Sequence, residues 1–138
     1  MSNIVEFLRA RYTERRALAL AATSGPWRAE PFVYGLPEGG WGEPSHWEIK
    51  ADSGEVVGHQ PHEGGGVYGE ADARHIAAHG PDVALADLDA KLGIIDWYEV
   101  ASSSPELARD AWQIMRQVLL LLAVPFAAHP DYDERWRP

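Results

Sequence analysis

Four prolines stand at the edges of otherwise helical runs: Pro26, Pro81, Pro105 and Pro125. A proline inside a helix removes a backbone hydrogen bond and clashes with the preceding turn, at a cost of about 3 kcal/mol or more, so these positions divide the chain into separate elements. At the first, Gly25 suits a helix C-terminus and Pro26 cannot extend it. The residues before it, 3–22, read as a helix with Ser2 or Asn3 as N-cap and Val5, Leu8, Tyr12, Ala19 and Ala22 along one stripe. At the second, Gly80 stops a helix over 70–79 whose first turn carries Glu70 and Asp72, where the helix dipole favours acid. Pro81 then restarts the chain, and a helix over 82–100 follows with Leu85, Leu88, Leu92 and Ile95 at heptad-like spacing. Ser104, Pro105 and Glu106 form the cap of a last helix over 105–124, which carries Leu107, Ala111, Trp112, Met115, Val118 and Leu122. Pro125 closes it and leaves an ordered tail over 125–138.

The part between the first two breaks is different. Over 27–60 helical periodicity is lost, and Trp47 and Ile49 alternate with polar neighbours before Asp52, Ser53 and Gly54 supply a turn and Val56 and Val57 begin a return strand. WRAEPFVYG, from Trp27, offers a third strand, and a glycine-rich loop spans 61–69. The expectation is a single α+β domain over 1–138: an N-terminal helix, a small antiparallel hairpin or three-stranded sheet, then three helices packed as a bundle.

Composition removes several functions. The 138 residues include no cysteine, so disulfides, thiolate metal sites, iron–sulfur clusters and cysteine nucleophiles are absent. A net charge of −9 opposes non-specific attraction to nucleic acid or anionic lipid. The longest apolar run, VLLLLAVPFAA at 118–128, is broken by Pro125 and falls short of the roughly 20 residues of a membrane span. The opening MSNIVEFLRARYTERR lacks the pattern of a signal peptide. A soluble cytoplasmic protein is expected, without a membrane partner.

The chemistry-bearing residues fall into four groups. Arg9, Arg11, Arg15 and Arg16 crowd the first helix, and Arg11 and Arg15 share a face. They read either as a solvated face beside Glu6 and Glu14 or as a stripe for a small anionic ligand. His75 and His79 lie four apart, the spacing of two metal ligands on one helical face. A zinc or other divalent site would need a third ligand, with His129 and Asp131, or His59, His62 and Glu63, as candidates. Against this, histidines at a helix C-terminus also cover its last carbonyls, so no cofactor is the primary expectation. Gly64, Gly66 and Gly69 match a dinucleotide fingerprint, but no parallel βαβ unit surrounds them and Glu70 and Asp72 would repel a pyrophosphate. Of six tryptophans, Trp97 and Trp112 suit helix packing, whereas Trp41, in a loop, and Trp136, in the tail beside Tyr132, suit partner anchors. The alternative for Tyr132 and Trp136 is a tail strapped back across the helices.

The stretches IVEFLRAR, GPW, ADARHIAAH followed by a proline, and LLAVPFAAHPDYDERWRP together resemble an uncharacterised family of small proteins from actinobacteria and their phages. The resemblance covers both ends and the helical centre. It implies a phage or prophage setting and no particular activity. Some relatives carry cysteines between the last two helices, and this chain has none. The function expected is that of a phage accessory protein of host-takeover or anti-defence type, in the host cytoplasm, which binds a host protein or a small anionic ligand. Two alternatives stand beside it: a metal-dependent hydrolase using His75 and His79, and a structural component or homo-oligomer built by pairing of exposed helix faces.

Overall fold

The structure is a computed structural model, and it describes residues 3–32, 46–58, 66–103 and 109–138. Trp41, His59, His62, Glu63 and the cap at Ser104 lie outside the described residues. The elements are helix α1 (Ile4–Ala21), strands β1 (Trp27–Phe32) and β2 (His46–Ala51), then helices α2 (Glu70–Ala78), α3 (Pro81–Ser103) and α4 (Arg109–Ala123). Short 3₁₀ turns follow at Val124–Phe126 and Glu134–Trp136. This is an α+β architecture. The chain forms two compact units, Met1–Ala17 with Asp87–Pro138, and Leu18–Ala86.

The first unit is helical. Asn3 caps α1, its side-chain oxygen accepting from the Val5 N–H at 3.0 Å, which satisfies one of the helix's unpaired donors. Of the expected stripe, Val5, Leu8 and Tyr12 are buried, with Phe7, whereas Ala19 and Ala22 are only half-buried. These side chains meet Leu88 and Ile95 of α3, Leu119, Leu120 and Ala123 of α4, and Phe126, Tyr132 and Trp136 from the tail. Phe7 is the pivot for the tail: its ring centre lies 6.1 Å from that of Phe126, 6.1 Å from Tyr132 and 5.0 Å from Trp136. Aromatic contacts of this kind, edge-on to Phe126 and Tyr132 and tilted to Trp136, add about 0.5–1.5 kcal/mol each to the area they bury, which offsets the cost of ordering the tail. The tail is thus strapped onto the helices by Tyr132 and Trp136.

The second unit is the sheet with α2. β1 and β2 are antiparallel from Trp27↔Ala51 to Phe32↔His46. The segment read as a third strand is therefore the main partner of β2. Val56 and Val57 do return, through a turn that places Gly54 at φ +86°, but they make a bridge rather than a strand. The other edge of β2 is satisfied piecewise: the Ala51 N–H donates to Glu55, the Ile49 carbonyl accepts from Val57, and Trp47 exchanges both bonds with Val67. α2 lies on this sheet, because its buried face is Ala73 and Ala77, flat enough to seat on Ile49. Gly80 ends α2 as expected, and its lack of a side chain lets Trp27 approach, since a Cβ there would lie 3.3 Å from the indole. Among the described residues no helix is long and apolar enough to cross a membrane.

Candidate binding site

The four arginines of α1 each meet a partner within the first unit. Arg9 donates to Asp96 at 2.7 Å and to Glu99, both on α3. Arg16 donates to Asp89 of α3 at 3.3 Å. Arg11 is buried, donating to Glu14 at 2.6 Å and to His129 Nδ1 at 2.8 Å, with Asp131 3.6 Å away. The Asp131 N–H also donates to that nitrogen at 3.1 Å, so His129 Nδ1 is an acceptor in this arrangement. The Arg15 guanidinium stands over the Phe126 ring, 4.2 Å from its centre. The structure thus brings Arg11, Arg15, Tyr132 and Trp136 together around Phe7 and Phe126, as a packed centre that fastens the tail. Beside it is a cleft of about 260 Å³ lined by Asn3, Glu6, Phe7, Ala10, Arg11 and Asp131. Glu6 and Asp131 flank Arg11 among the described lining residues, a balance that does not favour an anion.

His75 and His79 are both exposed, their rings tilted at 48° with centres 4.3 Å apart. The His79 Nδ1 faces the His75 carbonyl at 2.7 Å. A carbonyl only accepts, so Nδ1 carries the proton and caps the helix end. Among the described residues no group of three His, Asp or Glu side chains is placed to hold a metal ion.

A polar cluster that sequence reading passed over occupies one face of the sheet. Arg28, Glu30 and Phe32 on β1 stand opposite Lys50, Glu48 and His46 on β2. The signal was the alternation in HWEIK, which gives one face to His46, Glu48 and Lys50. Glu30 and Glu48 are directly opposed and would repel, but the Lys50 ammonium lies 2.7 Å from one and 3.3 Å from the other. Its hydrogen bond, with that of Arg28, lowers the Glu30 pKa below the usual carboxylate range, and Glu30 in turn raises that of Lys50. His46 stacks on Phe32 with ring centres 4.5 Å apart. The ladder compensates its own charge, and it supplies no pair of groups poised for acid and base work.

What the packing leaves over is apolar. Trp97 and Val100 on α3 are 71% and 61% exposed, and Ile114 and Leu121 on α4 are 66% and 60% exposed. Large apolar side chains scattered singly on a surface need no explanation, whereas a face of them does. On α4, Leu119 and Ala123 are fully buried, and Ile114 and Leu121 project from the other side. A groove of about 640 Å³ lies along α4, lined by Asp110, Trp112, Gln113, Ile114, Arg116 and Gln117. Trp112 is held there by stacking on Tyr98, ring centres 6.3 Å apart. Aromatic, arginine and aliphatic side chains on a rigid helix are the composition of a protein contact surface.

Comparison with known proteins returns no match among curated proteins and none among solved structures. One family model, described as a family of unknown function (DUF6221), matches residues 1–138, and the chain belongs to that family.

Proposed function

We propose that this protein acts by binding a host protein through the outer face of α4, as a phage or prophage accessory factor of the host-takeover or anti-defence type. The observation that carries the reading is the set of large apolar side chains, Ile114 at 66% and Leu121 at 60% exposure, beside a groove walled by Trp112 and Arg116. The small-anion reading has less support, since Arg9, Arg11, Arg15 and Arg16 are all engaged internally. A net charge of −9 favours a partner whose apolar contact is ringed by basic residues, because opposite fields accelerate encounter. The test is affinity capture from host lysate with the wild type and with the double variant Ile114→Glu, Leu121→Glu, whose changes fall on exposed positions. A protein retained by the wild type, lost by the variant and released by salt is the expected result. Retention of the same proteins by both chains would overturn it.

A further inference from the structure

The bond at the end of α2 explains one of its histidines and leaves the other without a role. The His79 Nδ1–H donates to the His75 carbonyl at 2.7 Å, whereas no hydrogen bond holds the His75 ring among the described residues. Both lie in the sheet unit and on one element, α2, so a single helical turn fixes their spacing. Ala73 and Ala77, 0% and 8% exposed, seat the opposite face of that helix on Ile49. Asp72, His75 and His79, at spacings of three and four, share the face turned away from the sheet, and all three are exposed.

We propose that His75 and His79 hold one borderline divalent cation, of the zinc, nickel or copper(II) class, each through a ring nitrogen, with water completing the shell. The bond from His79 Nδ1 to a carbonyl is the outer support that metal-binding imidazoles use: it places the proton on one nitrogen and leaves the lone pair of the other facing out. His79 is therefore set to bind through Nε2 before an ion arrives. Two nitrogens bound to one tetrahedral ion at about 2.0–2.1 Å stand ~3.3 Å apart. Rings whose centres are 4.3 Å apart reach that separation by rotation about the side-chain bonds of His75, which no hydrogen bond restrains.

The surroundings select the class of ion. Imidazole suits zinc, nickel and copper(II), whereas magnesium and calcium take oxygen ligands. The neighbouring cation, Arg74, is compensated by Glu70 at 2.7 Å, and Asp72 adds a carboxylate to the same face. Asp72 is not itself a third ligand: its Oδ2 turns back to Gly69, 3.0 Å from where a Cβ would stand, and no three such side chains converge among the described residues. Water takes the positions that a third side chain would fill. With half the side-chain ligands of a closed structural site, the dissociation constant falls at roughly 10–100 µM. The ion therefore exchanges, and the fold does not depend on it.

Calorimetric titration of the full chain, free of any histidine tag and stripped with chelator, tests this with zinc chloride, nickel chloride and magnesium chloride. Zinc and nickel should each bind as one ion per chain, and magnesium should give no isotherm. His75→Ala and His79→Ala should each weaken zinc binding by about tenfold or more, with the circular dichroism spectrum unchanged. The double variant His59→Ala, His62→Ala should bind zinc as the wild type does, and so should the α4 variant Ile114→Glu, Leu121→Glu. A wild type that takes up no zinc below millimolar concentration, equal uptake by the wild type and His75→Ala, or loss of binding in either double variant would each overturn the proposal.

Discussion

Tyr12 stands in the middle of the first unit's core, 1% exposed, with its hydroxyl 3.4 Å from the Leu122 carbonyl. Burial, with the Asp87 carboxylate adding to it, pushes its pKa up to about 12. A phenol whose folded pKa exceeds its unfolded value stabilises the fold in full below about pH 10 and loses that contribution as the pH rises through about 12. Ultraviolet titration should show a late ionisation in the wild type that is missing in Tyr12→Phe; a Tyr12 that ionises near pH 10 with the fold intact would contradict it. Trp136, 5% exposed against Phe7, anchors the tail, and Trp136→Ala should cost about 3–5 kcal/mol in urea unfolding. His75 and His79 sit on the surface with one local bond between them. In metal-free buffer the double alanine variant should therefore change stability by no more than about 0.5 kcal/mol. A loss of several kcal/mol would mean that the pair helps to hold the fold together.

At the scale of elements, the punctuation was the legible part. The run 70–79, the break at Gly80 and the restart at Pro81 follow from residue types whose backbone limits do not depend on tertiary context, and α2 spans Glu70–Ala78 and α3 begins at Pro81. The turn at Asp52, Ser53 and Gly54 was legible for the same reason. Gly54 has φ +86° and nothing near its missing Cβ, so Gly54→Ala should cost about 1 kcal/mol through backbone strain alone. Pairing was harder to read. Val56 and Val57 looked like the nearest partner for β2, but β1 took the longer ladder, a choice made by contacts with Ala73 and Ala77 that alternation does not encode. The arginines were visible as a stripe, yet which of them would be spent on Asp89, Asp96 or His129 depends on residues more than seventy positions away.

For the whole molecule, the two units divide the work. The sheet unit closes on a small core around Ile49 and carries a charge ladder, and the helical unit closes on Leu8, Tyr12, Ile95 and Leu119; both leave large apolar side chains exposed, Leu18 and Tyr68 in the one and Trp97, Ile114 and Leu121 in the other. An acidic chain that binds through those faces would select partners by their apolar contact and by the basic groups around it. Binding through the α1 and tail centre would look different, since it would have to displace Glu14 or His129 from Arg11. Hydroxyl-radical footprinting of the chain, free and bound to its captured host protein, reads the side chains directly. The expected result is protection of Ile114, Leu121 and Trp112 on α4, with no change at Phe7, Tyr132 and Trp136. Unprotected α4 side chains together with altered labelling of Tyr132 and Trp136 would contradict the account.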